Sequence, residues 1–167
     1  MKSVLRYTAA GVALATFGFA SAAQAATATA DAEAEILAAL TVTLDATANA
    51  LDFGSIAESG AGGTVTLTSG NVRTCSVGLL CTGTTVVPEF DIVGTPNAPV
   101  SISFTNNTIQ LTGPGAPMDV NLTSSADNLN LSAGGTASFT VGGVLDVAAG
   151  QTAGTYSGQL EVVVIYN

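Results

Sequence analysis

Apolar and polar residues trade places every second position along much of this chain. Val65 and Leu67 alternate with Thr64, Thr66 and Thr68, and Phe90 and Ile92 flank Asp91. Val100, Ile102 and Phe104 alternate with Ser101, Ser103 and Thr105. Met118, Val120 and Leu122 alternate with Asp119, Asn121 and Thr123, and Ala137, Phe139 and Val141 with Thr136, Ser138 and Thr140. A period of two places one face of a strand in a core and the other in water. Gly60-Ala61-Gly62-Gly63, Gly94-Thr95-Pro96, Gly113-Pro114-Gly115, Gly134-Gly135 and Ala149-Gly150 supply turns between these runs. The pattern predicts short antiparallel strands in a sandwich or barrel, with Val100, Ile102, Phe104, Phe139, Val141, Leu160 and Val162 facing inward. A parallel β-helix uses the same residue types but needs a fixed repeat, and none is found.

Three places depart from simple alternation. Gly142-Gly143 interrupts an apolar stretch, which suggests a bulge or kink. Pro88 calls for a strand edge or break. From Tyr156 onward, Leu160, Val162, Val164 and Tyr166 form one face, while the opposite face turns apolar at Val163 and Ile165. A terminal strand apolar on both sides is either sandwiched or awaiting a partner. Residues 26–35, ATATADAEAE, carry Ala at every even position. They read as a strand with a small apolar face; a helix over Asp31 to Leu40 and a disordered leader are the alternatives.

The amino terminus changes the setting. Lys2 and Arg6 precede an apolar run from Ala9 to Ala20, and Ser21-Ala22-Ala23-Gln24-Ala25 has small residues at cleavage spacing. This is the pattern of a secretory signal peptide over residues 1–25. The run is about a dozen residues, too short for the roughly 20 of a transmembrane span. The expected organisation is therefore a signal peptide, an extension over 26–35 and a β-sandwich domain over 36–167. The expected location is the periplasm, cell surface or medium, without a membrane anchor in the mature chain.

After cleavage, one basic residue, Arg73, stands against 12 acidic ones. Such a surface repels nucleic acid and anionic lipid. Charged residues make up 9% of the chain and hydrophobic ones 47%, which is not the composition of a disordered protein. Export also bears on Cys75 and Cys81, the two cysteines of the chain. Their spacing is not that of a C-x-x-C redox or zinc pair, so a structural disulfide across a short loop is expected.

Candidate chemistry is thin. The chain has no His, and the mature part has no Lys, which leaves acid–base and nucleophilic catalysis without its usual groups. Asp52, Glu58, Glu89 and Asp91 are carboxylates of the type that cleave glycosides, but their spacing singles out no pair, and no Trp offers a sugar platform. Asp127-Asn128-Leu129-Asn130 has oxygen ligands for calcium but lacks the Gly and distal Glu of an EF-hand loop. The reading is of a non-enzyme without cofactor or metal.

The carboxyl end, GTYSGQLEVVVIYN, places Gly154 fourteenth from the end and Tyr166 next to last. That pairing resembles the terminal signature of pilins assembled by the chaperone–usher route. AGTYSGQLEVVVIY is similar to the ending of spore-coat U-type proteins, relatives of archaic chaperone–usher subunits. Leu51-Asp52-Phe53-Gly54 resembles a motif near their amino ends. Over nearly the whole mature length, AEAEILAALTV, LDFGSI, the Cys75–Cys81 loop, GTASFTVGG and AGTYSG resemble the bacterial domain of unknown function 4402 family. The resemblance implies an incomplete immunoglobulin-like sandwich whose groove is filled by a neighbour's amino-terminal strand. Here that donor-type strand would present Ala28, Ala30, Ala32, Ala34 and Ile36. The implied partners are other copies or related subunits, a periplasmic chaperone and an outer-membrane usher. The implied role is a structural subunit of a surface pilus or coat. A self-contained secreted sandwich that binds a surface, sugar or protein is the alternative.

Overall fold

A computed structural model of the protein describes residues 26–167; residues 1–25, where a signal peptide is expected, lie outside them. Among the described residues there are strands and no helix. In chain order they are β1 (Thr41–Leu44), β2 (Ser55–Glu58), β3 (Gly63–Leu67), β4 (Arg73–Cys75), β5 (Leu79–Thr82) and β6 (Glu89–Val93). Then follow β7 (Pro99–Phe104), β8 (Thr108–Leu111), β9 (Met118–Ser124), β10 (Asn128–Asn130), β11 (Thr136–Val147) and β12 (Val162–Tyr166). Every pairing is antiparallel.

The spine of the fold is β11, 12 residues long. Its first part pairs with β6, from Thr136↔Val93 to Thr140↔Glu89. Its second part is flanked by β3, in register Gly143↔Leu67, and by β9, in register Gly143↔Leu122. β1 extends this sheet beyond β6, β4 beyond β3 and β8 beyond β9. A second sheet of three strands runs β10-β7-β12, and β2 pairs with β5 in a small third sheet. One buried cluster draws on both larger sheets, with Val65, Ile92, Val120 and Val141 from one and Val100 and Ile102 from the other. The result is an all-β, immunoglobulin-like antiparallel sandwich.

The alternation read from the sequence is what builds this core. Val100, Ile102, Phe139 and Val141 are buried, and Phe104, Leu160 and Val162 are half-buried against them. No polar or charged side chain is buried among the described residues, so only main-chain groups need hydrogen-bond partners in the core. Phe139 stacks on its cross-strand neighbour Phe90 with ring centroids 5.2 Å apart.

Two local expectations need correcting. Gly142-Gly143 forms no bulge: the β11–β9 ladder runs unbroken from Val141 to Leu145. The glycines serve close approach instead, since a Cβ on Gly142 would lie 2.6 Å from the Ser69 amide nitrogen where β3 ends. The last strand begins at Val162 rather than Tyr156; before it, only Ser157 makes a bridge, to Thr112. Pro88 meets expectation by standing at a strand break, one residue before β6, where its carbonyl accepts the Val141 amide at 3.1 Å. Residues 26–40 carry neither helix nor strand, and those from 26 to 39 are exposed.

Candidate functional site

The body, Ile36–Asn167, brings segments near its own two ends against each other along one seam. At one pole, Tyr166 closes it. The Tyr166 hydroxyl donates to the Ala38 carbonyl at 3.0 Å and accepts the Thr95 amide at 2.7 Å. The Ala38 amide in turn donates to Thr95 Oγ1 at 2.7 Å. One phenol thus ties the root of the leader, the β6–β7 turn and the terminal strand together.

Away from this pole the seam opens into a trough. Its middle, about 920 Å³, lies between Leu44–Phe53 on one side and Ser157–Glu161 on the other, with Phe90 and Val120 below. Its far part, about 630 Å³, lies between Leu51–Glu58 and Gln151–Tyr156, above Met118, Leu145 and Val147. Leu51, Phe53 and Leu111 line both parts, which are therefore adjacent. The floor is hydrocarbon, and the walls are two stretches of chain with little regular structure.

Both strands at the seam are sheet edges among the described residues: β12 pairs with β7, and β1 pairs with β6. The ladder parity fixes which backbone groups face outward. Glu161 and Asn167 bond to the β7 side, through Thr105 N to Glu161 O and Asn167 N to Pro99 O. Residues of the same parity therefore serve β7, and the N–H and C=O of Val162, Val164 and Tyr166 point out of the edge. Asp45 N bonds to Glu89 O, so by the same rule Val42 and Leu44 present theirs from β1. The side chains follow suit: Val162, Val164 and Tyr166 are half-buried, while Val163 and Ile165 are exposed.

The walls are held by polar groups acting on backbone. Arg73 donates to the carbonyls of Phe53 and Thr82 at 2.9 Å each and to that of Gly83 at 3.2 Å. It thereby pins the LDFG segment to the β5 hairpin. Asp52 accepts the Gly54 amide at 2.8 Å, and its backbone bridges Val86. Glu58 straps the far end of the trough, accepting the Gly60 amide at 2.8 Å and the Gly150 amide at 3.0 Å. Asp45 closes the turn after β1; bonds from the Thr47 hydroxyl and from the Ala48 and Thr47 amides hold its carboxyl below the usual carboxylate range.

The residues singled out in the sequence fall in different places. Cys75 and Cys81 are joined in a disulfide between β4 and β5. Gly154 and Tyr166 are not neighbours but mark the two poles: Gly154 lines the far trough at φ +150° against Pro114, and Tyr166 is the clasp. Ala28, Ala30, Ala32, Ala34 and Ile36 are exposed and outside any strand. Of the carboxylates, Asp52 and Glu58 cap backbone, and Glu89 and Asp91 sit on β6. The Asp127–Asn130 stretch is mostly strand β10, with Asn128 Oδ1 accepting from Ser101. Among the described residues no three His, Cys, Asp or Glu side chains converge to hold a metal ion, and no helix is long and apolar enough to cross a membrane. The roles of Thr95, Ala38 and Arg73 carry no sequence signal, because each acts through backbone partners distant in the chain. What the seam offers is a trough with an apolar floor, walls of mixed polar and apolar groups, and outward-facing backbone on the adjoining strand edges.

These features define an antiparallel immunoglobulin-like sandwich with an open seam between its ends. The chain belongs to the family described as "Domain of unknown function (DUF4402)", which matches residues 40–166. The matched region holds both walls of the trough and, of the clasp, Tyr166 and Thr95 but not Ala38. No curated protein and no solved structure matches the chain.

Proposed function

We propose that the protein is an exported structural subunit of a bacterial surface pilus or coat, assembled by β-strand addition. The observation that carries this reading is the seam: a trough with an apolar floor that adjoins the open edges of β1 and β12, in a chain with an alternating leader directly upstream. An extended segment laid in the trough would bond with its main chain to the exposed N–H and C=O groups and turn alternate side chains to the floor. The similarity to spore-coat U-type and chaperone–usher pilin endings supports the same role, as does the secretory pattern of residues 1–25. A periplasmic chaperone and an outer-membrane usher are the assembly partners this role implies.

The donor is the leader of another copy, with Ala28, Ala30, Ala32, Ala34 and Ile36 toward the trough. Each Ala methyl contributes about 0.8 kcal/mol when buried, and each added main-chain hydrogen bond about 0.5–1.5 kcal/mol. Backbone pairing therefore carries much of the affinity, and the side chains set register. The role requires no catalytic group and no cofactor. Deleting residues 26–35 behind an intact signal peptide tests it. Negative-stain microscopy of the secreted product should show filaments or multimers from the parent and none from the deletion. Normal assembly without the leader removes the model, and a monomer in both cases favours a self-contained binding or adhesion domain.

A further inference from the structure

Every copy carries both a leader and a trough, so strand addition has two outcomes: the leader fills the trough of a neighbour or its own. β1 runs along the seam from the clasp, with Leu44 lining the middle of the trough and Leu51 and Phe53 beyond it. A segment upstream of Ala38 can therefore enter its own trough only by turning back alongside β1. Length does not prevent this, since residues 26–35 span about 33 Å when extended. Concentration favours it. A segment tethered beside its own site is present there at an effective concentration on the order of millimolar, above that of other copies in dilute solution. Unless geometry forbids the reversal, the chain caps itself and stays monomeric.

We propose that the clasp of Tyr166, Thr95 and Ala38 sets the specificity of strand addition: it bars the leader from its own trough and commits it to another copy. The inference rests on assembly by strand addition and adds what selects the partner. Ala38 is held at both of its backbone groups, its amide by Thr95 Oγ1 at 2.7 Å and its carbonyl by the Tyr166 hydroxyl at 3.0 Å. The Thr95 amide fixes that hydroxyl at 2.7 Å. Gly94 leaves room for the arrangement, because a side chain there would run into both the Tyr166 hydroxyl and Leu40. Leu40 in turn packs against the core. Thr95 and the Tyr166 hydroxyl are positioning groups in this role, acting through the root of the leader.

The root also lacks the turn that a reversal needs. Val42 and Leu44 present their N–H and C=O groups from β1, and Leu44 lines the trough. To bond there with its Ala face toward the floor, the leader must set even-numbered residues opposite Val42 and Leu44. With Leu40 kept in the core, this parity makes residues 37–39 the loop and places Ile36 opposite Leu40, Ala34 opposite Val42 and Ala32 opposite Leu44. A three-residue hairpin loop puts its last residue in the left-handed region, where glycine is favoured. Here that residue is Ala39. The whole root, Ile36-Leu37-Ala38-Ala39-Leu40, contains no Gly, Asn, Asp or Pro. Among the described residues the non-glycine positions with positive φ are Asn71 and Asn97, so no root residue adopts that conformation.

The test compares the secreted parent with a clasp variant, Tyr166→Phe with Thr95→Val, and with a release variant that adds Ala38→Asn and Ala39→Gly. The parent and the release variant are also made without residues 26–35. Light scattering after size separation gives the assembled fraction, and hydrogen exchange reads the Val42 and Leu44 amides. Losing two hydrogen bonds at the root should raise the ratio of monomer to assembly about tenfold in the clasp variant. The added turn residues should make the release variant monomeric. Monomers of both should protect Val42 and Leu44, and removing residues 26–35 from the release variant should return fast exchange there. An unfolded chain shows no such protection, so misfolding cannot pass for a self-filled trough. Assembly of the clasp variant at the parent's level, fast exchange at these amides in monomers of either variant, or protection that survives loss of the leader overturns the clasp. In each case strand addition stands if the parent without residues 26–35 still fails to assemble. Assembly by that deletion overturns strand addition and the clasp with it.

Discussion

Truncating Phe139 to Ala probes the centre of the sandwich. The ring is 2% exposed and stacks on Phe90 with an interplanar angle of 16°. It sits where β11 pairs with β6, immediately before β11 passes to β3 and β9. Removing a fully buried Phe side chain costs about 3–5 kcal/mol, from lost transfer energy and the cavity left behind. The stacked pair contributes about 0.5–1.5 kcal/mol of this beyond area, so Phe90→Ala and Phe139→Ala together should cost less than the sum of the two. For a body of this size each kcal/mol moves the midpoint by roughly 3–4 °C, which places the expected drop at roughly 9–20 °C. Urea unfolding followed by far-ultraviolet circular dichroism measures it, with the slope unchanged if two-state behaviour holds. A loss under about 0.5 kcal/mol, the range of surface substitutions, would mean that the faces of β11 have been assigned backwards.

Cys81→Ala opens a bridge spanning 6 positions and should cost about 2 kcal/mol while leaving the sandwich folded; titration of the unfolded parent should find no free thiol. Tyr166→Phe keeps the ring and removes the hydroxyl that joins Thr95 to Ala38; it should cost about 1–2 kcal/mol and speed exchange of the Thr95 amide, and unchanged exchange there would exclude the clasp. Asp45 has its pKa lowered in the folded chain, so its contribution to stability is present above the ordinary carboxylate pKa of 3.8 and is lost as pH falls through the lower folded value. Asp45→Asn should flatten the acid limb of the stability curve over that window, and an unchanged limb would exclude the capping role.

The strands that could be read in advance are those whose neighbours impose a clear inside and outside. β3, β6, β7, β9 and the first half of β11 all alternate cleanly because each lies between a packed core and water. Short strands such as β4, β5 and β10, of three or four residues, give too few positions for a period to show. Gly142-Gly143 was legible as a special place, but its reason, the approach of the Thr68–Ser69 backbone, depends on a partner more than 70 residues away in sequence. The same holds for the seam. Val163 and Ile165 announced an unusual terminal strand, yet the trough itself is made by Leu51, Phe53 and Leu111, residues that nothing local distinguishes from core.

Hydrogen exchange at three backbone amides tests the central claim most directly. Val162, Val164 and Tyr166 present their N–H groups from the edge of β12, so they should exchange quickly in the monomer lacking residues 26–35. In assembled parent protein the same three amides should be strongly protected, while Val163 and Ile165, already bonded toward β7, should change little. Adding a synthetic peptide of residues 26–37 to the deleted protein should restore the protection in the same alternating pattern. Assemblies in which Val162, Val164 and Tyr166 exchange as fast as in the monomer would contradict assembly through this edge.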